Sequence, residues 1–306
     1  MMTGEAAFIN AMRALATHPA ARGLADDTAV LPFGGEVLIL THDMMVEGVH
    51  FLLQQDPADI AWKLVATNLS DLAAKGAEPV GVLLGHMLGH GDDRFAAGLK
   101  EVLERYNVPL LGGDTVSAPE PGGRSMGLTA IGRATCVPVP SRSGAKPRDD
   151  IYVTGPLGAA MMGLEALQSA ASTPETESAP DDSSSGSDAY RRPQPRLAEG
   201  RALAPLVTAM MDISDGLLLD AFRMGTASNV SLHINAQQVP IAAPEDRRQD
   251  ALRWGDDYEL LFTLPAGSTP PVPATQIGRV TPYVQGPVWL DDRAMTQPDG
   301  LGFSHI

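Results

Sequence analysis

Short apolar runs alternate with helical patterns along the first half of the chain, and that alternation restricts the fold to sheets covered by helices. The spacing predicts an opening helix over 5–17, a buried strand over 37–41 and a long helix over 57–75 that Gly76 stops. A strand over 80–87, an amphipathic helix over 92–106, a short strand over 108–111 and a long strand over 126–137 follow. The polar turn SRSGAKPRDD then leads into a new strand, IYVTG, which sets an expected boundary between domains 1–147 and 148–306. The second half repeats the mixture, with a helix over 196–206, a strand-to-helix junction at AMMDISDGLLLDAF and a strand over 258–264. The expected class is α/β or α+β in two halves. From Ser169 to Pro195 the only large apolar side chain is Tyr190, so a mobile surface loop is expected there.

A chain of 306 residues, 44% of them apolar, can bury two cores. Its longest apolar runs fall well short of the roughly 20 residues that cross a bilayer, so no membrane partner is expected. The N-terminal stretch carries Glu5 and lacks a basic start with an apolar core, so a cytoplasmic location is expected. Cys136 is the only cysteine, which excludes an internal disulfide and any multi-cysteine metal site. The formal net charge of −15 argues against a nucleic-acid surface built on phosphate neutralisation. An acidic protein can still grip a phosphate-bearing ligand when divalent cations lie between its carboxylates and the phosphate oxygens. Neither G-x-x-x-x-G-K-[ST] nor G-x-G-x-x-G occurs, so a nucleotide would have to be held in some other way.

Four segments deliver aspartate from an apolar strand or a tight turn: LADDTAVLP, VLILTHD, LLGGDTV and MMDISDGLL. They supply Asp26, Asp27, Asp43, Asp114, Asp212 and Asp215, and Asp71 in NLSDLAAKGA adds a seventh. Carboxylates on rigid element ends, open to solvent, are the oxygen ligands that hard cations such as magnesium take. Structural roles compete with that reading. Asp212 or Asp215 could cap the helix that follows, Asp71 could pair with Lys75 four residues on, and Gly112-Gly113 could be a simple turn. His50 could be an ordinary histidine, and Asp256, Asp257 and Glu259 in GDDYELLF could form a solvated strand edge.

The segments DDTAVLP, THDMMVEGVHF, NLSDLAAKGAEP, LLGGDT, SRSGAKPRDDIYVTG, DISDGL and GDDYEL, in this order, resemble the thiamine-monophosphate kinase family over almost the whole chain. The resemblance implies two α/β domains, the first with a mixed sheet through which members dimerise, ATP and thiamine monophosphate as substrates, and several magnesium ions. It implies metal ligation by Asp27, Thr41, Asp43, Asp71, Asp114, Asp212 and Asp215. It gives Gly113, Asp114, Arg142 and Ser214 to the nucleotide, and His50, Asp256 and Phe303 to the thiamine phosphate. No side chain is expected to act as a covalent or proton-transferring catalyst, since transfer would be direct, in line and metal-assisted. Three departures stand out: Gly-Leu-Ala-Asp-Asp at 23–27 where Gly-x-Gly-Asp-Asp is usual, Thr41-His42-Asp43 for Ser-Thr-Asp, and Asp256 for Glu. Two rivals remain open: another ATP-dependent synthetase of the same superfamily, and a non-catalytic metal- or phosphate-binding protein. The superfamily's selenium- and hydrogenase-related members use a terminal cysteine, and this chain ends FSHI.

Overall fold

The computed structural model describes residues 5–117, 123–171 and 186–303. The first sheet takes strands β1 (Ala29–Phe33), β2 (Glu36–Val46), β3 (Ala77–Met87), β4 (Leu110–Val116) and β5 (Ser125–Ala134) in the order β1-β2-β5-β3-β4. Its pairings are antiparallel except β3 with β4, which run parallel around a helical crossover. The second sheet takes β6 (Asp150–Val153), β7 (Ala209–Asp212), β8 (Val230–Ile234), β9 (Leu260–Leu264), β10 (Thr275–Pro282), β11 (Val288–Leu290) and β12 (Arg293–Met295). Their order is β12-β11-β8-β10-β6-β9-β7, with only β11 and β8 parallel. Eight α-helices accompany them among the described residues: α1 (Glu5–Met12), α2 (Pro57–Ala74), α3 (Asp92–Tyr106), α4 (Ala159–Ala171), α5 (Asp188–Arg191), α6 (Leu197–Leu203), α7 (Leu217–Ser228) and α8 (Arg248–Ala251). The result is a mixed α/β architecture with two mixed sheets.

Helix α2 joins the two halves. The Asp56 carboxylate caps it by accepting the Ala58 N–H at 2.9 Å, Pro57 opens it, and Gly76 ends it with a φ of +60°. Of its 18 residues 16 are buried, because β2, β3, β5 and α3 cover it from the first half and α5, α6 and β7 from the second. One apolar cluster accordingly runs from Ile39 and Leu128 through Leu64, Leu69 and Ala73 to Leu203, Met210 and Phe262. Close approach at the α2–α6 contact requires glycine: a Cβ on Gly200 would overlap the Ala73 carbonyl oxygen. A second cluster, including Ile151, Met211, Leu218, Leu232 and Ile277, lies between the second sheet and α7.

Several local expectations change. The opening helix stops at Met12, and Cys136 lies beyond the end of β5 rather than inside a strand. Gly112 and Gly113 are not a turn but the middle of β4, aligned with Leu83 and Leu84 of β3. Most of the Ser-rich stretch, 172–185, lies outside the described residues, but its flanks are folded. Ser169 belongs to α4, and Tyr190 in α5 is 3% exposed. Tyr190 is buried because Arg191 and Arg192, which follow it, both reach the buried carboxylate of Asp59 on α2, at 3.0 and 2.5 Å. No helix among the described residues is long and apolar enough to cross a membrane.

Candidate active site

Asp27 precedes β1, Asp71 sits in the last turn of α2 and Asp212 ends β7, so three distant segments from both halves deliver carboxylates to one place. One carboxylate oxygen of each lies within 4.8 Å of the others. Thr41 on β2 donates its hydroxyl to Asp71, and Ser70 donates to Asp212 at 2.6 Å. Asp43, two residues along β2 from Thr41, takes the Asn68 side-chain oxygen on its backbone N–H at 3.1 Å. It is close enough that its charge raises the pKa of both Asp71 and Asp212. His42 between them points to the other face of the sheet, where it is exposed and hydrogen-bonds Thr129 of β5 at 2.9 Å, so the departure at this position leaves the carboxylate side untouched.

The electrostatics record crowding of like charge. Burial, followed by Asp27 and Asp215, raises Asp43 to about 6, and burial with Asp27 raises Asp212 to about 8 against the donation from Ser70. Burial and the charges of Asp43, Asp212 and Asp27 push Asp71 well up. Asp27 is the exception: burial would raise it, but Arg142 and Lys75 outweigh burial and hold it well below the usual carboxylate range. Lys75 is fully buried and reaches Asp26 and Asp27 at 2.6 Å each. The helical Asp71–Lys75 pair therefore does not form; Lys75 turns to the loop before β1 instead. An all-oxygen donor set of three carboxylates, with a hydroxyl and a fourth carboxylate beside it, is the chemistry that hard divalent cations take, and its unbalanced charge calls for one. The residues fit such an ion.

The remaining candidates divide into two groups. Asp215 is bonded to Arg223, and neither it nor Asp212 caps α7. No side chain caps α7; the carboxylate of Asp220, in its first turn, instead holds the preceding loop by accepting the N–H groups of Ser214 and Asp215 at 3.1 Å each. Arg142 lies against Asp27. Ser214 accepts the Asp256 N–H at 2.8 Å, and Phe303 donates its N–H to the Asp215 carbonyl at 2.9 Å, so the C-terminal segment closes on the DISDG loop. His50 takes the Val46 N–H on Nδ1 at 3.0 Å, and its carbonyl accepts from Lys63 at 3.0 Å. Gly113 and Asp114 stand apart: β4 is exposed along its length, Asp114 is aligned with Gly85 of β3, and its carboxylate accepts the Thr115 N–H at 2.9 Å. Asp114 is not one of the three clustered carboxylates.

The GDDYEL segment is not a solvated edge. Lys63 binds Asp256 at 2.8 Å, Asp257 accepts the Gly158 N–H at the start of α4, and Glu259 is held by Arg196 and Thr154. Sequence reasoning passed over Lys63, Asn68, Ser70, Asp220 and Arg223, and weighed Lys75 only as a partner of Asp71. The signal available for the first three was a polar residue on the apolar pattern of α2, a helix in which 16 of 18 residues are buried.

Residues 25–134 match the family model described as AIR synthase related protein, N-terminal domain, and residues 146–283 match the corresponding C-terminal domain. The chain is 35% identical to thiamine-monophosphate kinase of Escherichia coli strain K12, across 93% of this chain and 91% of that one. The solved structure "AaThiL complexed with AMPPCP and TMP" superposes with a TM-score of 0.86 at 28% identity, covering 99% of this chain and 97% of the other. Thiamine-monophosphate kinase from Stenotrophomonas maltophilia K279a gives 0.76 at 35% identity, covering 94% and 96%. Two domain matches that together span most of the chain, and full-length relatives above 30% identity, make this chain a member of the thiamine-monophosphate kinase family.

Proposed function

We propose that the chain is a thiamine-monophosphate kinase, a phosphotransferase that moves the γ-phosphoryl group of ATP onto thiamine monophosphate and releases thiamine diphosphate and ADP. The observation that carries this reading is the cluster of Asp27, Asp71 and Asp212, gathered from both halves of a chain that resembles such kinases over 93% of its length. In the transfer, a phosphate oxygen of thiamine monophosphate bonds to the γ-phosphorus while the bond from that phosphorus to the β,γ-bridging oxygen breaks, its electron pair leaving with ADP. The attacking phosphate has a second pKa of about 6 and is ionised near neutral pH, so no side chain has to take its proton.

The difficulty is the approach of two anions. Magnesium, when bound, would supply the positive charge between carboxylates and polyphosphate, with Asp27, Asp43, Asp71 and Asp212 as its nearest ligands and Thr41, Asp114 and Asp215 as further candidates. Arg142 is assigned to the nucleotide phosphates, where its planar fork can bind two oxygens, and Gly113, Asp114 and Ser214 are assigned to the same ligand. His50, Asp256 and Phe303 are assigned to thiamine monophosphate. A homodimer through the first sheet belongs to the same reading. Its support is the run of exposed apolar side chains on the strands of that sheet, including Met44, Val80, Leu83, Leu110, Leu111 and Val116. A cytoplasmic location goes with the use of ATP.

The test is turnover. Purified protein incubated with thiamine monophosphate, ATP and magnesium is expected to form thiamine diphosphate, resolved chromatographically, and EDTA is expected to stop it. No product under these conditions overturns the reading.

A further inference from the structure

Lys63 is 1% exposed, in the interior of α2, and every partner of its ammonium group comes from a different segment. Nζ donates to Asp256 Oδ2 at 2.8 Å and to the His50 carbonyl at 3.0 Å, and lies 3.8 Å from the centroid of the Tyr190 ring. The Tyr190 hydroxyl donates to the same His50 carbonyl at 3.2 Å. The second oxygen of Asp256 accepts from Tyr258 at 2.8 Å. Asp256 and Tyr258 both sit at positive φ, +64° and +51°, a conformation that L-residues hold only when their surroundings impose it. The backbone N–H groups of Asp256 and Tyr258 are pinned to the Ser214 and Ile213 carbonyls at 2.8 and 2.9 Å. The ammonium group thus ties the loop after β2, from the first half, to the loop before β9, from the second. A buried cation is expensive unless it is paired, and a strut could be made from apolar side chains at less cost. What the charge adds is direction: it fixes one carboxylate and one carbonyl relative to each other, and leaves the Asp256 side chain 29% exposed.

We propose that Lys63 is a positioning residue for the acceptor end of the site: it aims the Asp256 carboxylate and the His50 loop at the cationic ring system of thiamine monophosphate. The proposal rests on the kinase reading above and on the assignment of His50 and Asp256 to that substrate. Tyr190 serves the same purpose by covering the ammonium group and bonding to the His50 carbonyl, so the segment just after the Ser-rich stretch contributes to the site. Of the residues assigned to the nucleotide, Arg142 bonds to Asp27, and none is a hydrogen-bond partner of the Lys63 ammonium group.

Steady-state kinetics on the full chain test this. Lys63→Met keeps the length and removes the charge, and is expected to raise KM for thiamine monophosphate by about tenfold or more, the usual effect of losing a charge-assisted hydrogen bond, with KM for ATP changed less than about twofold. Lys63→Arg is expected to recover part of the loss. Tyr190→Phe, which removes only the bond to the His50 carbonyl, is expected to raise the same KM by a smaller factor. If Lys63 acts through Asp256, the Lys63→Met, Asp256→Asn double variant is no worse than the poorer single variant. Equal rises in both KM values, a fall in kcat alone, or additive losses in the double variant would overturn the proposal while wild-type turnover upheld the kinase reading. Absence of wild-type turnover would remove both. Should Lys63→Met not fold, Lys63→Arg, Tyr190→Phe and Asp256→Asn carry the same comparison, and a Tyr190→Phe variant with unchanged KM for thiamine monophosphate would count against the tie.

Discussion

Substituting Asp212 by Asn should make the protein more stable without divalent cations and less responsive to them. Its carboxylate oxygen lies within 4.8 Å of those of Asp27 and Asp71. Two unit charges at that distance repel by about 3.5 kcal/mol at an effective dielectric constant of about 20. Burial is the largest strain on the Asp212 carboxylate, and the negative charges of Asp27, Asp220 and Asp43 add to it. Burial and these charges favour the protonated form, so Asp212 is pushed up to about 8 from its ordinary 3.8. A carboxyl whose folded pKa is raised loses stability as pH climbs from the unfolded value toward the folded one, and regains it on acidification. At pH 8 in EDTA, Asp212→Asn is therefore expected to gain about 1–3 kcal/mol, a Tm rise of about 2–4 °C per kcal/mol. Asn keeps an oxygen to accept from Ser70, so no hydrogen bond is lost in the exchange. At pH 5 both side chains are neutral and the gain should shrink. Magnesium at a hundredfold excess over its dissociation constant should stabilise the wild type by about 2.7 kcal/mol and the variant by clearly less. Differential scanning fluorimetry at the two pH values, with EDTA or magnesium chloride, reads all four numbers. A variant less stable than wild type in EDTA at pH 8, or one with an undiminished magnesium gain, would refute the reasoning.

Asp71→Asn should lower kcat by roughly 100-fold with little change in circular dichroism, because it removes charge at the transferring group but almost no volume. Wild-type-like turnover would count heavily against the cation site. His50→Ala should raise KM for thiamine monophosphate more than KM for ATP, measured by varying each substrate in turn; equal shifts would undo the assignment. Gly113→Ala should cost about 1–3 kcal/mol in thermal or denaturant unfolding, because its Cβ would overlap the Leu84 carbonyl oxygen of β3. An unperturbed Tm would mean that β4 can move away from β3 without loss.

The alternation of strands and helices was legible where an element buries a single stripe, which leaves a period in the sequence: α3, with Phe95, Leu99 and Val102 buried, falls over 92–106 as expected. Convergence of Asp27, Asp71 and Asp212 was not legible from spacing. It depends on how the second sheet docks on α2, a long-range fact that no local pattern carries, and it was reached through resemblance alone. Lys75 misled for the same reason. An i,i+4 partner on the same helix was the nearest acid in sequence, yet the loop before β1 brings two carboxylates closer in space. Tyr190 was read by its neighbours, which are serine and acidic residues, whereas its own burial follows from Asp59 drawing in the two arginines after it.

Helix α2 also governs the order in which the molecule can be completed. Chain growth releases β1 to β5 and α2 well before α6 and β7, so the flank of α2 destined for the second sheet waits uncovered, with Lys63 and Asp71 still facing water. Until the later strands arrive, Asp27 and Asp71 lack the third carboxylate of their cluster, Asp212. Activity is thus tied to complete synthesis, and a prematurely ended chain would leave a sticky, unfinished helix for the quality-control machinery.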